Sequence, residues 1–184
     1  MTRLVSPEQA PRSLDDALRV DRVLTESQIA RHFAAAEEVK QYPQRVVHVS
    51  ATKRGPEIRV RFYAHDDATL RLDAAALRHL ALAAELRLEL GVPPEEWQSA
   101  ADVASLDKPD AMWIGGNAAS NGIPVEIDVG TYSRERILHK LLRYQQHYGS
   151  QVWGTTSSSR MSMIHDLADS ADIINYRLIL LRFP

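Results

Sequence analysis

The chain has 184 residues, of which 45% are hydrophobic and 7% aromatic, which suffices for one sizeable core and a small extension. It carries 22 Lys and Arg against 24 Asp and Glu, and a net charge near −2 is unlike that of a strongly basic nucleic-acid coat. The absence of cysteine excludes disulfides and thiolate zinc sites, so a metal ion would be held mainly by oxygen. Because neither a long apolar run nor a signal peptide is recognisable, we expect a cytoplasmic protein without membrane contact.

The N-terminal part of the chain is predicted to contain two helices. A hydroxyl followed by early acidic residues begins the first helix at Ser13, and we expect it to run through Leu24. Thr25 has the position of a capping hydroxyl for a second helix, because a glutamine follows three residues later. Apolar residues at helical spacing then continue toward Lys40.

A β-hairpin is predicted after these helices. Residues Arg45 to Thr52 and Ile58 to Ala64 alternate and are rich in β-branched residues, and a Lys53-Arg54 pair lies in the turn between them. Two helices and a basic-tipped hairpin resemble a reduced winged-helix unit, and a plain extension packed on the main domain explains the pattern equally well. We predict an N-terminal extension over residues 1–68 and a main domain over residues 69–184.

The main domain begins with a helix from Asp73 to Leu90 that is apolar on two sides, which indicates a helix packed between two layers. Strands and helices then alternate, in the order α-β-β-β-α-β-α-β, which predicts a mixed sheet with helices on its faces. The strands are expected at residues 96–100, 110–114, 124–129, 151–155 and 176–183, and the later helices at residues 133–148 and 160–168.

Three carboxylates in this domain form a candidate site. Side chains alternate along a strand, so Glu126 and Asp128 project from one face, and Asp110 heads the neighbouring strand. Buried like charges require a cation or a basic partner, and oxygen ligands of this kind suit Mg²⁺ or Mn²⁺. Such an ion could activate water for phosphodiester hydrolysis. The alternative is that all three acids lie at strand ends and face water.

Three short segments together carry a resemblance to a known family. They are Pro109-Asp110-Ala111, Glu126-Ile127-Asp128 followed by Gly130-Thr131, and Lys140-Leu141 followed by Tyr144. This string resembles the signature of PD-(D/E)XK nucleases, in the variant found in replication-relaxation proteins of plasmids and mobile elements. The resemblance spans roughly residues 77 to 160, and it implies a restriction-endonuclease-like αβββαβ core with a mixed sheet flanked by helices.

The resemblance also implies roles for single residues. Asp110, Glu126, Asp128 and Lys140 would be catalytic, and Glu85 would join Asp110 and Glu126 in binding the metal. Asp128 departs from the family pattern, which has lysine there, and Lys140 on the following helix is placed to replace that lysine. For Lys140 the alternative is an exposed cation with a buried stem, and for Glu85 it is a solvated side chain or a pair with Arg78.

Two functions follow from these expectations. The first is a divalent-metal-dependent DNA endonuclease, and the second is a non-catalytic DNA-binding protein that keeps the nuclease fold as a scaffold. DNA is the expected partner in both, and a homodimer could combine two weak basic patches. The candidate DNA-binding residues are Lys53, Arg54, Arg136, Arg143, Tyr144 and Arg160.

Overall fold

The computed structural model of the chain describes residues 13–33, 37–50, 55–100, 108–115 and 122–183. The tip of the predicted hairpin, with Lys53 and Arg54, lies outside the described residues, so the DNA contacts expected of these two cations stay predictions. None of the helices in the described ranges combines the length and hydrophobicity that a membrane span needs.

The N-terminal elements form a small antiparallel sheet with helices beside it. Its strand order is β1-β3-β2, and the β2–β3 pairing confirms the predicted hairpin. The elements in chain order are α1 (Leu14–Asp21), β1 (Val23–Thr25), α2 (Glu26–His32), a 3-10 helix (Glu38–Gln41), β2 (Gln44–Ser50), β3 (Glu57–Ala64) and α3 (Asp67–Leu70).

Both N-terminal helices are shorter than predicted. The first ends at Asp21 because Arg22 takes a positive φ of 69°, and the next three residues then pair with β3 as strand β1. The second ends at His32, where Phe33 becomes extended. In each case a local helical pattern yields to long-range pairing or packing, which the spacing of apolar residues does not encode.

The main domain contains a mixed five-stranded sheet in the order β4-β5-β6-β7-β8, as the element order predicted. Strands β4, β5 and β6 are antiparallel, whereas β6, β7 and β8 are parallel, so β6 is the central strand. The elements of this part of the chain, in order, are α4 (Ala74–Leu90), a 3-10 helix (Pro94–Glu96), β4 (Trp97–Ser99), β5 (Ala111–Trp113), β6 (Ile123–Asp128), α5 (Arg134–Tyr148), β7 (Gln151–Thr155), α6 (Ser158–Ser170) and β8 (Tyr176–Leu180).

Helix α4 lies between the two sheets, which explains why it is apolar on more than one side. Leu82 and Leu86 belong to the core of the five-stranded sheet, whereas Leu77 and Leu80 belong to the core of the small sheet. Leu88 packs with residues of α1 and α2. Helices α5 and α6 cover the opposite face of the five-stranded sheet, so β6 has helices above and below it.

A buried ion pair joins α1 to α4. The Arg87 guanidinium donates to both carboxylate oxygens of Asp21, at 2.7 and 2.6 Å, and also to the Val92 carbonyl oxygen at 2.8 Å. Both side chains are at most 1% exposed. Because neither charge reaches water, each depends on the other for compensation.

We expect Arg87→Met to lower the free energy of unfolding by about 3 kcal/mol or more, since it leaves the Asp21 carboxylate buried without its cation. The matched control is Arg19→Met, which removes the exposed Arg19–Asp15 pair and should lower the free energy of unfolding far less, because water screens both charges. Urea unfolding of both variants measures the difference. Equal losses in the two variants would contradict the assigned importance of the buried pair.

Candidate functional site

Glu126 is a fully enclosed carboxylate of the central strand, and its side chain is 0% exposed. Its Oε1 accepts hydrogen bonds from Lys140 Nζ at 2.6 Å and from the Tyr132 hydroxyl at 2.7 Å. Its Oε2 accepts one from the Tyr144 hydroxyl at 2.7 Å. The geometry thus brings Lys140 from α5 to Glu126 on β6, and three donors surround this carboxylate.

Asp110 precedes β5 and lies one position beyond the Ala111–Val125 pair of the β5–β6 ladder. Its Oδ2 accepts a hydrogen bond from the Ile127 amide at 2.7 Å, and its Oδ1 lies 2.8 Å from Nε2 of His79 on α4. The contact with His79 is within ion-pair distance without hydrogen-bond geometry, and both groups are charged when His79 is protonated. Asp110 therefore bonds to the strand of Glu126 and pairs with a base from the other side of the sheet.

Asp128 ends β6, and its side chain is also 0% exposed. Its Oδ2 accepts from both Nε and Nη2 of Arg160, with an Nε distance of 2.7 Å, while its Oδ1 accepts from the Gly130 amide at 2.9 Å. Arg160 Nη2 also donates to the Tyr132 carbonyl oxygen at 2.8 Å. Arg160 thereby fixes the loop after β6 against the first turn of α6.

Each of the three candidate carboxylates therefore has a base of its own, and each base comes from a different helix. His79 of α4 pairs with Asp110, Lys140 of α5 with Glu126, and Arg160 of α6 with Asp128. We refer to these six residues as the carboxylate–base network. The expectation that buried like charges at this strand need cationic partners is met by the protein itself.

The charges of the network shift the pKa values of its members. Burial, together with the charge of Asp110, raises the pKa of Glu126 to about 7, in spite of the opposing effect of Lys140. Burial alone would lower the pKa of His79, but the nearby Asp110 carboxylate outweighs it and raises that pKa. Burial and the charge of Glu126 raise the pKa values of Tyr132 and Tyr144, so both tyrosines stay protonated donors.

The oxygen atoms of Asp110 and Glu126 do not fit a divalent ion in this arrangement. Every oxygen of the two carboxylates already faces a donor or a cation of the protein. In the part of the chain that the structure describes, no third ligating side chain completes a group with them. The Mg²⁺ or Mn²⁺ site expected here stays a prediction that would require these contacts to open.

Glu85 lies apart from the network, contrary to the position that the resemblance implies for it. Its buried carboxylate accepts hydrogen bonds from Arg31 Nη2 at 2.7 Å and Gln28 Nε2 at 3.0 Å, both on α2. Glu85 lies six positions after His79 on α4, so the two side chains point roughly 120° apart around the helix. The alternative pair with Arg78 is not formed either, because Arg78 donates to the Ser50 carbonyl oxygen.

Two residues predicted to contact DNA have partners within the protein, and their DNA contacts stay predictions. Tyr144 is 1% exposed and turns its hydroxyl toward Glu126, because the packing face of α5 lies against the sheet. Arg160 is engaged with Asp128 rather than presented to a phosphate. Arg136 stacks over the Tyr132 ring, with its guanidinium carbon 4.2 Å from the centroid, and Arg143 is half-buried on the same helix.

Two residues of the site received no role from the sequence. His79 is a polar residue on a side of α4 that is otherwise apolar. A polar residue at such a position indicates a buried polar contact, so the sequence could have identified His79 as a candidate site residue. Tyr132 lies just after β6, behind the Gly130-Thr131 pair. It is close enough in the sequence for its hydroxyl to contact a side chain of that strand. The partner of His79 lies 31 positions away at Asp110, so the sequence around His79 does not indicate it, whereas Tyr132 bonds to Glu126 only six positions before it.

Comparison with known proteins adds the family. A family model described as replication-relaxation matches residues 40–158, which is more than half of the chain. The chain belongs to the replication-relaxation family. Membership associates it with the replication of plasmids or mobile elements, in agreement with the resemblance carried by its motifs. No curated protein and no solved structure matches the chain.

We expect the stability of the protein to fall as the pH rises from about 5 to about 8. The folded-state pKa of Glu126, about 7, lies above its ordinary value of 4.5, so the folded chain binds this proton more tightly. The resulting stabilisation is fully present at pH values below the ordinary pKa of 4.5, and it is lost as the pH rises through the folded-state pKa of about 7.

Glu126→Gln should remove on the order of 2 kcal/mol of this pH-dependent change. The raised pKa of His79 acts with the same sign, so a residual slope is expected in the variant. Urea unfolding across this pH range measures both slopes. An unchanged slope in Glu126→Gln would show that the proton is bound elsewhere.

Arg160→Met is expected to lower the free energy of unfolding by about 3 kcal/mol, since Asp128 would remain buried without its cation. Adding Asp128→Asn should recover part of the loss, because the charge that needed compensation is then absent. Arg136→Met is the control and should cost about 1 kcal/mol or less, as expected for a stacked cation. Chemical denaturation of these three variants and of Asp128→Asn alone tests this order, and full additivity of the double change would contradict the coupling.

Proposed function

We propose that this replication-relaxation protein binds DNA and uses its nuclease-like framework as a scaffold rather than as a catalytic centre. The observation that supports this most is the pairing of all three candidate carboxylates with bases of the same chain. A site that neutralises its own charges has no need of an ion for stability. A polar network in which each carboxylate has a partner of the same chain holds the surrounding elements in one arrangement.

Hydrolysis of a phosphodiester by a divalent ion would require a different arrangement. The ion and the phosphate must both reach carboxylate oxygens, yet Glu126 is 0% exposed and Asp110 10% exposed. Opening Glu126 would break its contacts with Lys140, Tyr132 and Tyr144 together. Because each of these donors would also lose its partner, the cost is that of a cooperative rearrangement.

The hairpin β2–β3 supports the DNA-binding part of the proposal. Its outer face carries His48 opposite Arg59 and Val46 opposite Arg61, and Arg61 also pairs with Glu26 of α2 at 2.8 Å. A two-stranded ribbon has dimensions that fit the major groove, and cations on it would contact phosphates. Two helices with a three-stranded sheet are also consistent with a reduced winged helix, and a homodimer would present two such hairpins.

A metal-dependent DNA endonuclease is the second candidate, favoured by one specific observation. Lys140 lies 2.6 Å from Glu126, and Asp110 bonds to the same strand, so the aspartate, glutamate and lysine of the nuclease signature meet at one point. In this candidate a DNA-induced opening would expose the two carboxylates. The two functions therefore differ in whether the network opens.

The decisive experiment incubates supercoiled, linear and single-stranded DNA with Mg²⁺ or Mn²⁺ and the folded protein, with Asp110→Asn, Glu126→Gln and Lys140→Met in parallel. We expect the wild type to shift DNA without cutting it, and the three variants to bind equally well, since the proposed contacts lie on the outer face of the hairpin and do not include residues of the network. Metal-dependent cutting by the wild type that is lost in all three variants would overturn the scaffold proposal. A wild type that neither shifts nor cuts DNA would overturn both candidates.

The DNA-shift measurement in the same experiment tests which surface of the protein contacts DNA. Arg59→Ala should weaken the shift and reduce the slope of log affinity against log salt by about 1, as expected for one lost phosphate contact. Arg19→Ala removes an exposed arginine on α1 and should leave the slope unchanged. Equal effects of the two changes would mean that the hairpin is not the contact surface.

A further inference from the structure

A second group of potential ligands lies outside the carboxylate–base network, between α2 and α4. It consists of His32, Glu85 and Glu89, whose ligand atoms all lie within 4.8 Å of one another. Within the described ranges this is the only group of three such side chains. The proposed function assigns no role to it.

His32 has an unusual environment for a histidine. Its Nε2 atom is buried and has no hydrogen-bond partner, although a buried polar nitrogen normally has one. Glu85 Oε2 lies 3.7 Å away, which is too far for a hydrogen bond. An ion about 2.1 Å from both atoms would subtend an angle of about 120° between them, within the range that zinc coordination accepts.

The two glutamates present their oxygens on the same side of α4. Glu85 and Glu89 are four residues apart and are therefore neighbours on one helix face. Arg31 donates to Oε1 of Glu85 and Gln28 donates to Oε2, and together they orient the carboxylate. Because a carboxylate oxygen has two lone pairs, Oε2 keeps one for an ion on the side of His32, whose Nε2 lies 3.7 Å away. Glu89 is exposed at the edge of the group, so an ion has a path from solvent.

We propose that His32, Glu85 and Glu89 form a binding site for a zinc-class divalent cation. One imidazole nitrogen and two carboxylate oxygens are a donor set that zinc accepts, with the fourth position left to water. The imidazole favours zinc, cobalt or nickel over magnesium, which prefers oxygen donors alone. Arg31 compensates one of the two negative charges, so the ion would leave the group with a small positive charge.

The bound ion would join the end of α2 to the middle of α4. These elements belong to the N-terminal unit and to the core helix of the main domain, so the ion would stabilise the attachment of one to the other. Because this role involves neither DNA nor the carboxylate–base network, its success or failure is independent of the proposed function.

The test measures binding of Zn²⁺ by calorimetry, and of Co²⁺ by its visible absorption, to the full chain freed of metal with a chelator. We expect one ion per chain and a rise in Tm of about 5 °C or more at Zn²⁺ concentrations far above Kd. His32→Gln and Glu89→Gln should each weaken binding at least about tenfold, in keeping with the loss of one ligand. Glu89 is exposed, so its variant should fold even if His32→Gln does not.

The matched controls are His48→Gln on the hairpin and Glu95→Gln after α4, which are both exposed and should bind the ion like the wild type. Equal weakening in the controls, or unchanged binding in Glu89→Gln, would overturn the proposal and indicate adventitious surface binding. Absence of stoichiometric binding by the wild type would overturn it as well.

Discussion

Helix α4 is apolar around most of its circumference, and this single property requires cover on every side. Leu82 and Leu86 are covered by the five-stranded sheet, Leu77 by the small sheet, and Leu88 by α1 and α2. An amphipathic helix would have allowed the N-terminal elements to stay separate from the main domain. Here their packing on α4 is part of the same hydrophobic burial that holds the main sheet in place.

The polar residues within this core follow a second constraint, which is that a buried charge needs a partner. Arg87 pairs with Asp21 of α1, Glu85 with Arg31 of α2, and His79 with Asp110 before β5. Each pair links α4 to another element and would be destabilising if half of it were removed. The ion pairs therefore specify which elements meet at α4, whereas the apolar surface supplies most of the favourable free energy.

The same constraint accounts for the contacts of Asp128 at the end of β6. Its buried carboxylate binds the guanidinium of Arg160, which lies in the first turn of α6. Lys140 meanwhile occupies the space beside Glu126. Together these contacts make the centre of the sheet a closed polar structure.

Local patterns in the sequence determined most of the elements of the main domain. The limits of α4, α5 and β7 agree with the predictions to within about one residue, because each has strong periodicity and a clear capping residue or turn. The alternation of side chains likewise determined that Glu126 and Asp128 share one face of a central strand. The N-terminal elements were less predictable, since β1 has only three residues and exists because it pairs with β3.

Only the tertiary structure decided which base meets which acid. The sequence shows that Lys140 follows the strand on a helix, but the distance from Nζ to Glu126 depends on how α5 crosses the sheet. It also could not show that Glu85 turns to α2 and away from Asp110, because a carboxylate on a helix that is covered on all sides has several possible neighbours. Periodicity is a property of nearby residues, whereas the pairing of buried charges joins residues that are far apart in the chain.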